Sequence, residues 1–97
     1  MATYITLSRY THQGITTIKD GPKRLDAVRK AYEAAGCQLK GFYLVMGRYD
    51  FVTIVDAPDD TAVAKATLRI GSIGAVSSET MRAFSEDDFR SIVAALQ

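Results

Sequence analysis

The stretch Gly47-Arg48-Tyr49-Asp50 lies between two apolar runs, residues 39–46 and 51–55. Glycine reaches positive φ at little cost and an Asp side chain can bond nearby backbone, so the segment predicts a β-hairpin. A hairpin at the middle of a short chain pins two antiparallel strands together. The elements on either side must be arranged around that pair.

Upstream, Tyr4-Ile5-Thr6-Leu7-Ser8 alternates with period two and predicts a strand over residues 3–9, with Ile5 and Leu7 on one face and Tyr4, Thr6 and Ser8 on the other. Thr11-His12-Gln13-Gly14 breaks it. Residues 15–19 read as a short separate helix, with a break at Asp20-Gly21. Pro22 suits a first helical turn, where its missing N–H has no partner to lose. Leu25, Val28, Tyr32 and Ala35 then form a helical stripe with charged residues opposite, and Gly36 follows as a stop.

Residues 37–46 predict a second strand with faces Leu39/Gly41/Tyr43/Val45 and Gln38/Lys40/Phe42/Leu44/Met46. After the hairpin and the strand over 51–55, Asp59 or Asp60 caps a second helix whose inner stripe is Val63, Ala66, Thr67 and Ile70 and which ends at Gly71 and Gly74. Residues 76–84 read as a fourth strand. Ser85-Glu86-Asp87-Asp88 is a capping pattern that opens a C-terminal helix with Phe89, Ile92, Val93 and Leu96 on its apolar face.

The order is βαββαβ with an added C-terminal helix. Two right-handed crossovers on one antiparallel four-stranded sheet give an α+β, ferredoxin-like fold. Both crossover helices then cover the same sheet face. The other face is bare, and Tyr4, Thr6 and Ser8 are expected on it. A second copy packed sheet against sheet would bury it, which predicts a homodimer or higher oligomer.

With 97 residues the chain makes one domain, 1–97. Its 12 basic and 11 acidic side chains are scattered, with a net charge of +1, so no nucleic-acid footprint is visible. The lone Cys37 rules out an internal disulfide, and no run is long enough to span a membrane or to act as a leader. A cytoplasmic address is the expectation.

These pieces also resemble the GYD-domain family along nearly the whole chain. The likeness is carried by Tyr4-Ile5-Thr6-Leu7, by Thr11-x-Gln13-Gly14-Ile15 and by Ile18-Lys19-Asp20-x-Pro22-x-Arg24. It continues through Gly41-Phe42-Tyr43, Gly47-Arg48-Tyr49-Asp50, Ala57-Pro58-Asp59-Asp60, Glu79-Thr80 and Arg82-Ala83-Phe84-Ser85. The resemblance implies a small protein of the dimeric α+β barrel type and no particular activity. A fainter likeness, through Gly47-x-Tyr49-Asp50, Pro58-Asp59-Asp60 and Gly74-Ala75-Val76 with Thr80, is to the effector-binding domain of Lrp/AsnC regulators. It implies ligand binding at subunit boundaries, and fold alone predicts function poorly.

Asp50 and Tyr49 read either as a turn cap with a packed ring or as the lining of an interface pocket. Thr11, Gln13 and Gly14 end the first strand where connections diverge and ligands tend to bind; they read equally as a shaped turn. Tyr4 and Tyr43 are candidates for a cavity between two sheets. The candidate ligand-binding set is therefore Tyr4, Thr11, Gln13, Gly14, Tyr43, Tyr49 and Asp50. His12 reads as an exposed loop residue and Cys37 as buried filler. One His and one Cys give no metal-ligand spacing, so no metal or cofactor is expected.

Together these features predict a homo-oligomeric small-molecule-binding or regulatory module. One alternative is a cofactor-free monooxygenase or isomerase with His12, Tyr43 and Asp50 as acid–base groups. The other is a structural assembly subunit. A small polar or aromatic ligand is the expected guest, with neither nucleic acid nor membrane as partner.

Overall fold

The computed structural model describes residues 1–96. Strand β1 (Ala2–Tyr10) leads into the short helix α1 (His12–Thr16), a single 3-10 turn at Ile18–Asp20, and helix α2 (Gly21–Ala34). Strands β2 (Gln38–Leu44) and β3 (Phe51–Ala57), helix α3 (Asp60–Ser72), strand β4 (Val76–Ala83) and helix α4 (Glu86–Ala94) follow. The sheet order is β2-β3-β1-β4 and every pairing is antiparallel, the ferredoxin-like arrangement expected.

Local chemistry sets the element ends. Asp59 caps α3 by accepting the Ala62 N–H at 2.9 Å. At α4, Ser85 Oγ accepts the Asp88 N–H and the Asp88 carboxylate accepts the Ser85 N–H, a complete capping box. Gly36 stops α2 at φ +81°, the left-handed conformation that glycine enters cheaply. Arg24 joins α2 to the preceding segment, donating to the carbonyls of Gly14 and Thr17 and to the Thr17 hydroxyl.

Beneath α2 and α3 lies the core, with Tyr4, Tyr32, Val55, Ala57, Val63, Ala66 and Ile70 buried together. This reverses the expected sidedness of β1. Tyr4, Thr6 and Ser8 face the helices and are buried, while Ile5 and Leu7 lie half-buried on the bare face. Period two separates the faces without saying which is covered. The helix side is chosen because its polar tips find partners there. The Tyr4 hydroxyl donates to Asp60 at the start of α3, and the Thr6 and Thr80 hydroxyls pair at 3.0 Å.

The second strand also departs from simple alternation. A bulge falls between Leu39 and Gly41, so Leu39 pairs with Val55 on the helix side while Gly41 pairs with Ile54 on the bare side. Leu39 therefore leaves the face on which alternation places it with Gly41 and Tyr43. The hairpin is wider than a tight turn: residues 45–50 connect the strands, closed by Val45 N–H donating to the Asp50 carbonyl at 2.9 Å. Helix α4 is exposed along its whole length. Its apolar stripe, with Phe89 at 62% exposure, and Leu96 beyond its end at 72% are not buried against the other described residues.

Two outcomes follow from packing. A methyl on Gly14 would stand 2.0 Å from the Ala75 carbonyl oxygen, which is itself fixed by the Thr11 N–H. Gly14→Ala should therefore cost about 3 kcal/mol in urea unfolding, an overpacking penalty. Gly36→Ala, with open space around it, should cost only the left-handed conformation, about 1–2 kcal/mol. Burial pushes the Cys37 thiol above its ordinary value, with the nearby Asp59 charge adding to the effect. Its contribution to stability is full below the unfolded thiol pKa, about 8.5, and is lost as pH rises above it. A thiol reagent at mildly alkaline pH should label Cys37 only at the rate of unfolding.

Candidate functional site

Two regions collect the sequence-predicted residues, and they lie on different parts of the sheet. The first is the C-terminal end of β1. The Asp50 N–H donates to the Ser8 carbonyl at 2.8 Å, and the Asp50 carboxylate accepts the Tyr10 N–H at 2.8 Å. Asp50 thus closes its own turn through its carbonyl while its N–H and carboxylate bond the neighbouring strand. It seals the point where β1 outruns β3.

One residue further on, Thr11 makes four bonds, one of them its carbonyl accepting the Ile15 N–H at 2.9 Å within α1. Its hydroxyl donates to the Gly74 carbonyl at 2.6 Å and accepts the Gly14 N–H at 3.1 Å, and its own N–H donates to the Ala75 carbonyl at 3.0 Å. Gly14 is buried because the loop before β4 presses against it, and the Gln13 side chain lies beside Gly74. The start of α1, expected from the sequence to be a loop, is therefore knitted through its cap Thr11 to the loop that enters β4. Its backbone N–H groups at Thr11 and Gly14 are already satisfied from within the chain.

The second region is the bare sheet face. Register places Gly41, Ile54, Ile5 and Met81 in one row across all four strands, and Tyr43, Val52, Leu7 and Glu79 in the next. Polar groups close the patch at both ends. At one end Thr3 Oγ1 donates to Asp56 at 3.0 Å. At the other, the Tyr49 hydroxyl donates to Glu79 at 2.7 Å and the Arg9 guanidinium lies 5.0 Å over the Tyr49 ring. The Glu79 bond holds the Tyr49 phenol above its ordinary pKa, with partial burial adding to it.

Tyr4 and Tyr43 are not brought together. Tyr4 lies under the helices, with Arg82 stacked 5.8 Å from its ring, while Tyr43 is 59% exposed on the bare face. The three acid–base candidates also stand apart in kind. His12 is exposed on α1, Tyr43 is on the bare face, and the Asp50 carboxylate is turned to backbone. No helix among the described residues is long and apolar enough to cross a membrane.

Arg9, Glu79 and Met81 were not among the candidates, yet they complete the bare face and its rim. Period two along residues 76–84 carried the signal for Glu79 and Met81. It lacked only the register that puts them beside Leu7 and Ile5.

Comparison with known proteins gives three likenesses. The family model for the GYD domain matches residues 4–93. A protein of Thermus thermophilus named glutamine synthetase and cystathionine beta-lyase binding protein is 37% identical over 89 residues, covering 91% of this chain and 94% of that protein. Among solved structures, the crystal structure of TTHA0845, also from Thermus thermophilus, superposes with a TM-score of 0.57 at 26% identity, covering 88% of this chain and 95% of the other.

The bond from Tyr10 to Asp50 is a charge-assisted contact in a partly buried place. Asp50→Ala should cost about 1.5–3 kcal/mol in denaturant unfolding, and Asp50→Asn, which keeps an acceptor oxygen, should recover most of it. Unchanged stability in the alanine variant would contradict a cross-strand role for this carboxylate.

Proposed function

The chain belongs to the GYD domain family, and on that footing we propose that it is a homo-oligomeric binding module with a regulatory role, its copies paired through the bare sheet face. One observation carries the reading. The row Gly41–Ile54–Ile5–Met81 and its neighbours Val52 and Leu7 make an apolar centre with polar ends, on a face that no helix covers among the described residues.

That pattern is how association surfaces are built: an apolar core excludes water, and a polar rim gives register. A two-fold pairing presents the same patch from both copies, so Ile5 and Ile54 of each would meet their counterparts or near neighbours. Tyr43, Tyr49 and Arg9 would then stand at the edge of the joined sheets. With Thr11, Gln13, Gly14 and Asp50 at the adjoining end of β1, they form the rim we assign to a small polar or aromatic ligand. Tyr4, lodged under the helices near the start of β1, stands apart from this rim.

A relative of this chain is named for binding two enzymes, and this supports an enzyme as the protein partner of the assembled module. The exposed apolar stripe of α4, Phe89, Ile92, Val93 and Leu96, supplies a second surface of the kind such docking uses.

Light scattering on size-separated protein tests the pairing. The native chain at tens of micromolar should run as a dimer or a higher closed oligomer. Ile54→Arg, which places a charge at the centre of the patch, should weaken association at least tenfold while leaving the circular dichroism spectrum intact. Mixing with purified glutamine synthetase or cystathionine beta-lyase then tests the partner, with co-elution expected for the native chain. A native chain that stays monomeric, with the same elution as the arginine variant, contradicts the proposal.

A further inference from the structure

Helix α4 stands away from the body of its own chain. The radius of gyration is 14.7 Å and the longest dimension 52 Å. A compact chain of this length has a radius of roughly 12.5 Å. The capping box and the Glu86–Arg90 ion pair at 2.8 Å hold the turns of α4. A lone helix of nine residues is nevertheless marginal in water, so the stripe Phe89, Ile92 and Val93 needs a cover.

The covered side of the sheet holds a cleft of about 360 Å³ between α2 and the end of α3. On one wall Tyr10 and Phe42 tilt against Phe51, with ring centroids 5.3 and 5.2 Å away. Leu25, Val28 and Ile73 also line it, and among the described lining residues only Tyr10 and Arg24 carry a polar side-chain group. A cavity of roughly 150 Å³ takes one benzene-sized ring, so this cleft has room for about two large apolar side chains.

Stripe and cleft cannot meet within one chain. Strand β4 delivers α4 at Ala83, opposite Thr3, whereas the cleft is lined by Tyr10 and Val76 at the other end of the same pairing. The strand from Thr3 to Tyr10 spans roughly 23 Å. The helix is only about 14 Å long.

We propose that the stripe of α4 seats in this cleft of a second copy, and that the second copy returns its own α4 in the same way. The inference rests on the sheet pairing proposed above. A two-fold axis lying between the sheets and crossing the strands sets the Ala83 end of one copy over the Tyr10 end of the other. There α4 emerges beside the partner's cleft, and the exchange closes on itself.

Charge favours the same occupant. The first turn of α4 carries Glu86, Asp87 and Asp88. The segments that border the cleft carry Lys19, Lys23, Arg24 and Arg69 against Asp20 and Asp26, a basic excess. Pairing α4 with α4 would instead bring acidic turns together, and nine residues are little more than one heptad, too few for a stable helix pair. Exchange also withholds α4 from other partners, so an enzyme that docks on this helix competes with the cleft for it.

The test uses full-length chains bearing a nitroxide on Ser91→Cys, refolded together with isotope-labelled native chains; Ser91 is exposed and Cys37 is buried. The labelled chains carry no nitroxide, so broadening of their amides reports contact between copies. Leu25, Ile73 and Val76 should broaden. Phe89→Ser/Ile92→Ser in the nitroxide chain should abolish that broadening and weaken association about tenfold while sheet-paired dimers remain at high concentration. Ile73→Glu in the labelled chain, at the 53% exposed mouth of the cleft, should do the same.

A native dimer whose broadening spares the cleft, or falls on α4 itself, overturns the exchange and leaves the sheet pairing standing. Cleft broadening that survives Phe89→Ser/Ile92→Ser also overturns it. If Ile54→Arg remains dimeric and keeps the cleft broadening, the exchange holds and the sheet pairing fails. A native chain that is monomeric at tens of micromolar overturns both.

Discussion

Strand β1 is hydrogen-bonded along both edges, to β3 on one side and to β4 on the other, and nearly every feature of the molecule is arranged around that double pairing. Through β1, the first ten residues meet β4 near the far end of the sequence. The strand outruns its β3 partner at Ser8, and Asp50 meets the exposed backbone just beyond by bonding Ser8 and Tyr10. On the other side β4 reaches Tyr10, and the Gly74–Ala75 loop before it receives Thr11. The end of the central strand is thus held from both directions. This explains why the chain concentrates Thr, Gln, Gly and Asp there.

Much of the architecture was legible because each element announced itself locally. Alternation marked β1, a three-and-four stripe marked α2, and Asp59 and Ser85 stood where caps were needed. Those are short-range properties, and they carry the strand order through the handedness of the crossovers. What could not be read was long-range. One face of β1 is apolar and the other amphipathic, and the amphipathic one is the covered side because Asp60 and Thr80, which lie far along the sequence, meet its polar tips. The bulge at Lys40 leaves no turn residue to betray it, and it moves Leu39 to the side opposite Gly41.

The candidate site was legible to a lesser degree. The two clusters of interest, at residues 11–14 and at Tyr49–Asp50, do lie near one another at the end of β1. Their cap and turn bonds are local, but those from Asp50 to β1 and from Thr11 to residues 74 and 75 are long-range, and sequence spacing holds no information about them. Asp50 closes the turn with its carbonyl, and its carboxylate in addition ties the hairpin to β1. Gly14 looked like a corner residue, and what requires glycine there is the approach of Ala75.

The bulge in β2 also bears on how this chain avoids unlimited growth. A sheet with two free borders can add further chains border to border, and a head-to-tail sequence of such additions never closes. Here β2 and β4 are the borders, and the bulge interrupts the regular outward row of donors and acceptors along β2. A filament needs both borders to be receptive. With β2 kinked and a lysine at the kink, fibre-like stacking is opposed, while closed assemblies through the flat of the sheet remain open to the molecule.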